Sequence, residues 1–452
     1  MTRVFSKKQN LDARIMLVCV MILFFRGLLD FLYADYITKF YAYQGFQLHA
    51  NSIFRFLQSY AIILILGAWL ALALYQRRRP SGIVLALYFV VVMIPLSSLY
   101  GLADAPLPFV YAASACFTLV IAIFWFLPRV RVPRPGRDLV YLGITTLLGM
   151  SLYTYGYLLL TGGLSRFSFD LLSVYAVRAE YAQTRGPFIG YFVPWQAHVF
   201  NIVLFCLGLL RRNRWLLSVA IFGQLLLFGM TGHKSFLLAP ALTAGVYLIW
   251  QKKNFLSYIL GGAFLLALGS YVLFLITGNE FVPSLFVRRL FFVPANLHVK
   301  YYEFFSQPEH PFYMLSDSIL KPFIENPYGQ PMVSVIAHAY WGREFWPDVG
   351  YLGDAYGNFG FLGMFLFSAI LGVMLCIVDS IGSRLPPHFV AAMISMPAMA
   401  ITESALFTSM LTHGLIPAVL VLWILNTLEA RQTRARLCGC THLQTFRMAR
   451  GK

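Results

Sequence analysis

Charge is what this chain has least of. Only 12% of its 452 residues are charged, and acids are the scarcer sign, with 18 Asp and Glu against 35 Lys and Arg. A soluble domain carries about 25% charged residues, so a single water-exposed globule is excluded. Cysteine is also sparse. Cys19, Cys116, Cys206 and Cys376 fall inside apolar runs and Cys438-Gly-Cys440 lies near the C-terminus, which gives no disulfide framework. Two thiols one residue apart lack the tetrahedral set a zinc ion needs, so a solvated tail is expected there rather than a metal or palmitoylation site. The chain has no Walker A loop, no dinucleotide Gly-rich fingerprint, no zinc-protease helix and no nucleophile elbow. No carboxylate or His/Cys cluster resembles a metal cage, so neither metal nor cofactor is expected. No repeat of fixed period and no low-complexity linker is found.

What is present is apolar length: 59% of the chain is hydrophobic. Runs long enough for a helix to cross the hydrocarbon core predict an all-α polytopic membrane protein of about twelve transmembrane helices. They fall at 14–34, 53–75, 82–101, 107–127, 138–161, 191–210, 215–231, 235–250, 255–277, 359–378, 388–405 and 413–429. The first run is too long for a signal-peptide core and no small-residue cleavage site follows it, so it should stay as a span. Basic residues cluster in alternate connections: Arg77 to Arg79, then Arg129, Arg131, Arg134 and Arg137, then Arg211, Arg212 and Arg214, then Lys252, Lys253 and Arg384. The positive-inside rule makes that face cytoplasmic and puts both termini there. On this reading the inner face carries 23 basic and 4 acidic residues, and the outer face 11 basic and 12 acidic. The basic balance then reflects topology and anionic lipid rather than nucleic acid. One integral membrane domain fills 1–452, with a basic cytoplasmic tail at 430–452.

Three outer connections are long: 35–52, 162–190 and 278–358, the last of 81 residues. Binding and catalytic residues often ride on such loops. Aromatics of the third, among them Tyr301, Tyr302, Tyr340, Trp341 and Tyr356, suit either a headgroup-level belt or platforms for sugar rings. Six arginines, Arg55, Arg166, Arg178, Arg185, Arg288 and Arg289, run against the positive-inside bias. They either snorkel and pair with acids such as Asp170 and Glu180, or hold an anion, since the guanidinium fork matches phosphate oxygens. The adjacent Arg288 and Arg289 at a membrane edge favour the anion.

Arg178 and Tyr181 would share one face of a short helix, ended by glycines before the sixth span. Lys234, in the turn Thr231-Gly232-His233-Lys234-Ser235, adds a compact cation or a hairpin anchor. Candidate acids and bases gather late in the third loop: His338, Arg343, Glu344, Asp348 and Asp354. Removing a proton from an acceptor hydroxyl suits His338 or Asp354, while Glu344 and Asp348 can pair with Arg343. Within the spans, Arg26 and Asp30 stand at i, i+4 and can pair, and Glu403 is the other buried charge. That is thin for a transporter's ion relay.

Several stretches resemble one family. They are Tyr175-x-x-Arg178; Thr231-Gly232-x-Lys234-Ser235; Arg288-Arg289-x-Phe291 with Pro294 and Tyr301-Tyr302-x-Phe304-Phe305; and Gly353-Asp354-x-Tyr356-x-Asn358-Phe359-Gly360-x-x-Gly363. Together, over about 140–380, they look like the oligosaccharide repeat-unit polymerases, the Wzy-type O-antigen polymerase family. Gly190 follows Arg178 after eleven residues, which meets the family's Arg-to-Gly spacing only approximately. The resemblance implies a glycosyltransferase of the bacterial inner membrane acting at the periplasmic face without metal. Its substrates would be undecaprenyl-pyrophosphate-linked repeat units, joined into O-antigen, capsule or exopolysaccharide, with a chain-length regulator as a possible partner. Arg178, Arg288, Arg289, Lys234, Arg343 and Tyr356 would bind pyrophosphate and glycan, and His338 or Asp354 would act on the acceptor. A more distant likeness to O-antigen ligases draws attention to His338. Two other classes stay open: a polyprenyl-phosphate-sugar glycosyltransferase, for which Asp35 is available, and a flippase for lipid-linked glycans.

Overall fold

The computed structural model describes residues 2–49, 52–170, 174–184 and 186–428, and of residues 2–10 the backbone only. Arg185, Glu429, Cys438, Cys440 and the tail 430–452 lie outside the described residues. Among the described residues the chain is helical throughout, without a strand. Ten helices are long and apolar enough to cross a membrane. They are α1 (Leu11–Gln44), α2 (Ile53–Gln76), α3 (Gly82–Leu102), α4 (Leu107–Phe126), α5 (Arg137–Leu160), α6 (Ile189–Arg211), α7 (Arg214–Thr231), α8 (Phe255–Thr277), α9 (Tyr351–Arg384) and α10 (Leu406–Leu428). The architecture is that of a multi-pass membrane protein.

Two expected spans take another form. Segment 235–250 is the helix Lys234–Ile249, whose 16 residues reach ~24 Å at the α-helical rise. That falls short of a hydrocarbon core about 30 Å thick. Segment 388–405 divides into Pro387–Met393 and Ser395–Glu403, because Pro397 has no N–H to return to the Met393 carbonyl. The expected 81-residue loop is also largely helical, with helix from Phe281 to Phe305 and again over Met332–Trp341. Apolar residues recurring through these stretches keep one face buried, among them Val287, Phe291, Ile336 and Ala337.

The helices gather into two compact units. Unit 1 comprises Met1–Leu127, Gln251–Leu375 and Ala398–Ser409. Its central helix is α3, apolar on every side and wholly buried along its apolar stretch. The expected Arg26–Asp30 pair forms here at 2.8 Å. Arg26 is fully buried and also donates to Ser97 Oγ at 2.8 Å and Ser59 Oγ at 3.2 Å, while Tyr60 donates to Asp30 at 2.7 Å. A charge in an apolar bundle persists only when its donors are met in this way.

Unit 2 comprises Pro128–Trp250, Cys376–Pro397 and Met410–Lys452. The Asn213 side chain starts α7 by accepting from the Trp215 and Leu216 amides at 2.9 and 3.3 Å. Gly232 ends it at φ +68°, where a Cβ would stand 2.5 Å from the Val174 carbonyl oxygen. Inside, Asn201 is gripped by Gln196, Gln224 and Tyr155 at 2.8 to 3.0 Å. By contrast α5 buries little, and Leu148 and Leu152 stand outward as a lipid-facing stripe would.

Four helices widen locally into π turns: Tyr33–Ile37, Phe89–Met93, Gln196–Phe200 and Ser284–Phe292. Pro95, Pro194 and the pair Pro283 and Pro294 lie within two residues of three of them, and proline's missing N–H interrupts the regular ladder. The extra residue in a π turn re-aims the side chains around it, and such turns recur at functional sites. Three of the four carry polar residues of the sites below: Asp35, His198 and Arg288.

Candidate functional site

Unit 1 brings the end of α1 and the turn after it against the segment that follows α8. Arg288, in the π turn Ser284–Phe292, donates to Gln44 Oε1 at 2.6 Å and to Ser284 Oγ at 2.9 and 3.2 Å. Its guanidinium lies 4.4 Å from the centroid of the Tyr41 ring. These partners are neutral, and among the described residues Arg288 forms no ion pair with a carboxylate. Burial pulls its pKa down, Tyr41 opposes that, and the like charge of the exposed Arg289 adds to it. Lys300 reaches the same turn, since a Cβ on Gly45 would meet its Cε at 3.2 Å and Nζ at 3.4 Å. It also stands over the Tyr340 ring at 4.5 Å and 3.4 Å from Glu303. Two cations therefore meet the 41–45 turn from one helix, and Lys300 was not visible as a site residue from sequence spacing. Asp35 sits one residue before Tyr36, whose hydroxyl is 3.1 Å from that of Tyr41. Its carboxylate accepts from Lys39 at 2.5 Å and from Tyr271.

The stretch from Gly353 to Gly363 is also in unit 1 and is held largely by hydrogen bonds to the backbone. Asn358 is buried, gives Nδ2–H to Asp354 Oδ1 at 3.2 Å and takes the Leu315 amide at 2.7 Å. The Tyr313 and Met314 amides bond the Gly357 and Asn358 carbonyls at 3.0 and 3.1 Å, tying the long excursion onto α9. At Phe359 and Gly360 the helix breaks, and Gly360 adopts φ 59°, ψ −147°, a conformation only glycine takes readily. Asp354 is half-buried inside α9, which begins at Tyr351, rather than in a loop before the span. Its carboxylate also receives the Leu406 backbone amide.

The remaining candidates of unit 1 are more scattered. His338 is exposed at the end of Met332–Trp341, its Nδ1 2.9 Å from the Ser334 carbonyl. Arg343 is exposed against the Phe345 ring at 5.4 Å. Tyr356 is 5% exposed among Tyr302, Phe361 and Phe312, at ring distances of 4.8, 5.2 and 6.0 Å. It packs in an aromatic core rather than standing clear as a sugar platform. Arg55 is engaged structurally, pairing with Asp104 and donating to the Tyr100 and Ala105 carbonyls.

Unit 2 holds the other candidates. Arg178 is exposed on the helix Val174–Gln183, while Tyr181, three residues on, is half-buried. That helix ends at Gln183, where the Thr184 hydroxyl donates to the Tyr181 carbonyl at 2.7 Å, and Gly190 lies within α6 instead of terminating it. Lys234 stands over the Tyr175 ring at 5.3 Å. Arg166 is buried and tethers the Met230 and Thr161 carbonyls at 2.8 and 2.7 Å, an anchoring role for one of the outward arginines.

Beneath Arg178 lie three histidines from distant parts of the chain. His198 is in the π turn of α6, His233 in the α7 turn and His413 in α10. His233 stacks on Phe236 at 5.0 Å, His198 meets the same ring edge-on at 5.4 Å, and His413 is 5.9 Å from His198. The Arg178 charge reaches His233, whose pKa burial pushes down to about 4. Among the described residues no group of three or more His, Cys, Asp or Glu side chains is arranged to hold a metal ion.

No protein-family model, no curated protein and no solved structure matches this chain.

Proposed function

We propose that the chain is a metal-independent glycosyltransferase that polymerises undecaprenyl-pyrophosphate-linked repeat units at the periplasmic face of a bacterial inner membrane. The observation that carries this reading is Arg288: a half-buried guanidinium whose hydrogen bonds go to neutral oxygens, beside the second cation Arg289. Two adjacent cations that, among the described residues, pair with no carboxylate favour a multivalent anion such as a lipid pyrophosphate. The basic-inside charge pattern supports the orientation, with both termini cytoplasmic and the 235–250 and 388–405 segments completing twelve passes as a shorter and a broken crossing. Anionic lipid would meet the basic inner face, and a chain-length regulator would be the protein partner.

The chemistry follows from those roles. An acceptor sugar hydroxyl gives its proton to a carboxylate as its oxygen attacks the anomeric carbon of the growing chain. The bond from that carbon to the pyrophosphate breaks, and the electron pair leaves on the lipid pyrophosphate. Arg288 and Arg289, with Lys300, stabilise the charge that develops there. Arg178 and Lys234 supply further cations on unit 2. We assign the proton to Asp354, which Asn358 orients, over the exposed His338.

A second reading rests on Asp35. This carboxylate, held by Lys39 and Tyr271 close to the Tyr36–Tyr41 hydroxyl pair, suits a transferase using polyprenyl-phosphate sugars. Deleting the gene and running surface polysaccharide on a gel tests both. Polymerisation predicts collapse of the ladder to one repeat unit, restored by wild type but not by Arg288→Ala. A ladder of normal length lacking one sugar, restored by Arg288→Ala but not by Asp35→Asn, supports the second reading and rejects the first.

A further inference from the structure

We infer that the histidine cluster of unit 2 is a binding site for the hydroxyls of an uncharged sugar ring of the lipid-linked glycan. The inference rests on the polymerisation reading for the identity of that glycan.

His198 carries the argument. It is 6% exposed, yet neither ring nitrogen has a hydrogen-bond partner of good geometry, and the polar group set against it is the His413 backbone. His413 Nδ1 is likewise buried without a partner. Leaving such groups unsatisfied costs about 1–3 kcal/mol each, so a native protein keeps them where something else fills the valence. Their chemistry narrows what that is. His233 directs Nδ1–H to the Thr231 carbonyl at 3.0 Å, which leaves Nε2 as an acceptor. A neutral His198 offers one donor and one acceptor. A group that meets both must donate and accept at once, as a hydroxyl does and a carboxylate or phosphate does not.

Position agrees with this. The Phe236 ring, between His198 and His233, gives the cluster an apolar wall. The π turn Gln196–Phe200 re-aims His198 out of the regular register of α6.

Diethylpyrocarbonate labelling of the purified full-length chain in detergent tests the site. The probe is lipid-linked single repeat units extracted from the deletion strain, and labelling is followed by mass spectrometry. Labelling of His198 and His413 should fall several-fold when the extract is added, while exposed His338 labels equally in both conditions. Equal labelling with and without extract, or no labelling of His198 in either condition, would overturn the site. In complementation, His198→Gln, which keeps a donor and an acceptor, should support the wild-type ladder, and His198→Leu should not at equal membrane level. A normal ladder from His198→Leu and His413→Leu sinks the hydroxyl site alone. A normal ladder in the deletion strain sinks the polymerisation reading itself.

Discussion

The two units differ in the polar groups that mark their candidate sites. Unit 1 keeps permanent charge: Arg26 is buried with its counterion and hydroxyls, and Arg288 is half-buried with neutral partners and a second cation beside it. Unit 2 gathers imidazoles around an aromatic ring, with His233 held neutral at ordinary pH by burial. Buried charge that meets its counterion and neighbouring hydroxyls is structure, as Arg26 illustrates, and the half-buried Arg55 is held in the same way. Charge or polarity whose partners are incomplete is the mark of a site, and Arg288 and His198 carry it.

The sharpest break of this contrast is Arg288→Ala, expected to lower polymer formation on the order of 100-fold, with Arg288→Lys keeping part of it. An in-vitro ladder assay at matched protein level measures both. Asp30→Ala reverses the logic by stripping the counterion from buried Arg26. It should cost about 3–5 kcal/mol, seen as a lower melting temperature in detergent with little change in the activity of the folded fraction.

Titration separates charge from imidazole next. His298 in unit 1 is fully buried, donates Nδ1–H to the Pro294 carbonyl at 2.6 Å, and is pushed by burial down to about 4. The unfolded chain protonates this group near its ordinary value of about 6.5, whereas the folded chain resists until about 4. Stability is therefore complete above about pH 6.5 and is lost as pH falls between these values, by about 3 kcal/mol at most. His298→Gln should flatten that dependence of the melting temperature. The same sign holds for His233, which stays neutral across the working range, so a pH–rate profile between about 5.5 and 8 should show no step from it. The smallest effect is Gly360→Ala, where a Cβ would both strain φ +59° and meet the Phe312 ring at 3.0 Å. A cost of about 1–3 kcal/mol is expected, checked by thermal melting.

Much of the fold was legible because membrane helices are written in length and apolarity, and ten such helices stand where runs were read. Composition could not tell that 388–405 breaks at Ile394, since the run remains apolar through the break. Nor could it tell that 278–358 holds helix over 281–305 and 332–341, because the buried face is discontinuous and interrupted by proline and charge. The Arg288–Arg289 doublet and Asp354 stood out by residue type and place. Lys300, by contrast, joins the Gly45 turn from 255 residues away, and His198 and His413 meet from different helices. Neither juxtaposition leaves a local pattern. The π turns are equally silent in sequence, though the prolines beside three of them are a signal that could have pointed to His198 and Arg288.

The claim at the centre is that an uncompensated arginine of unit 1 awaits a lipid pyrophosphate. Titrating the purified chain in nanodiscs with farnesyl pyrophosphate and, separately, with farnesol tests it most directly. Binding of the pyrophosphate but not the alcohol, weakened on the order of 100-fold by Arg288→Ala, is the predicted result. Equal binding of the two, or unchanged affinity in Arg288→Ala, would contradict it.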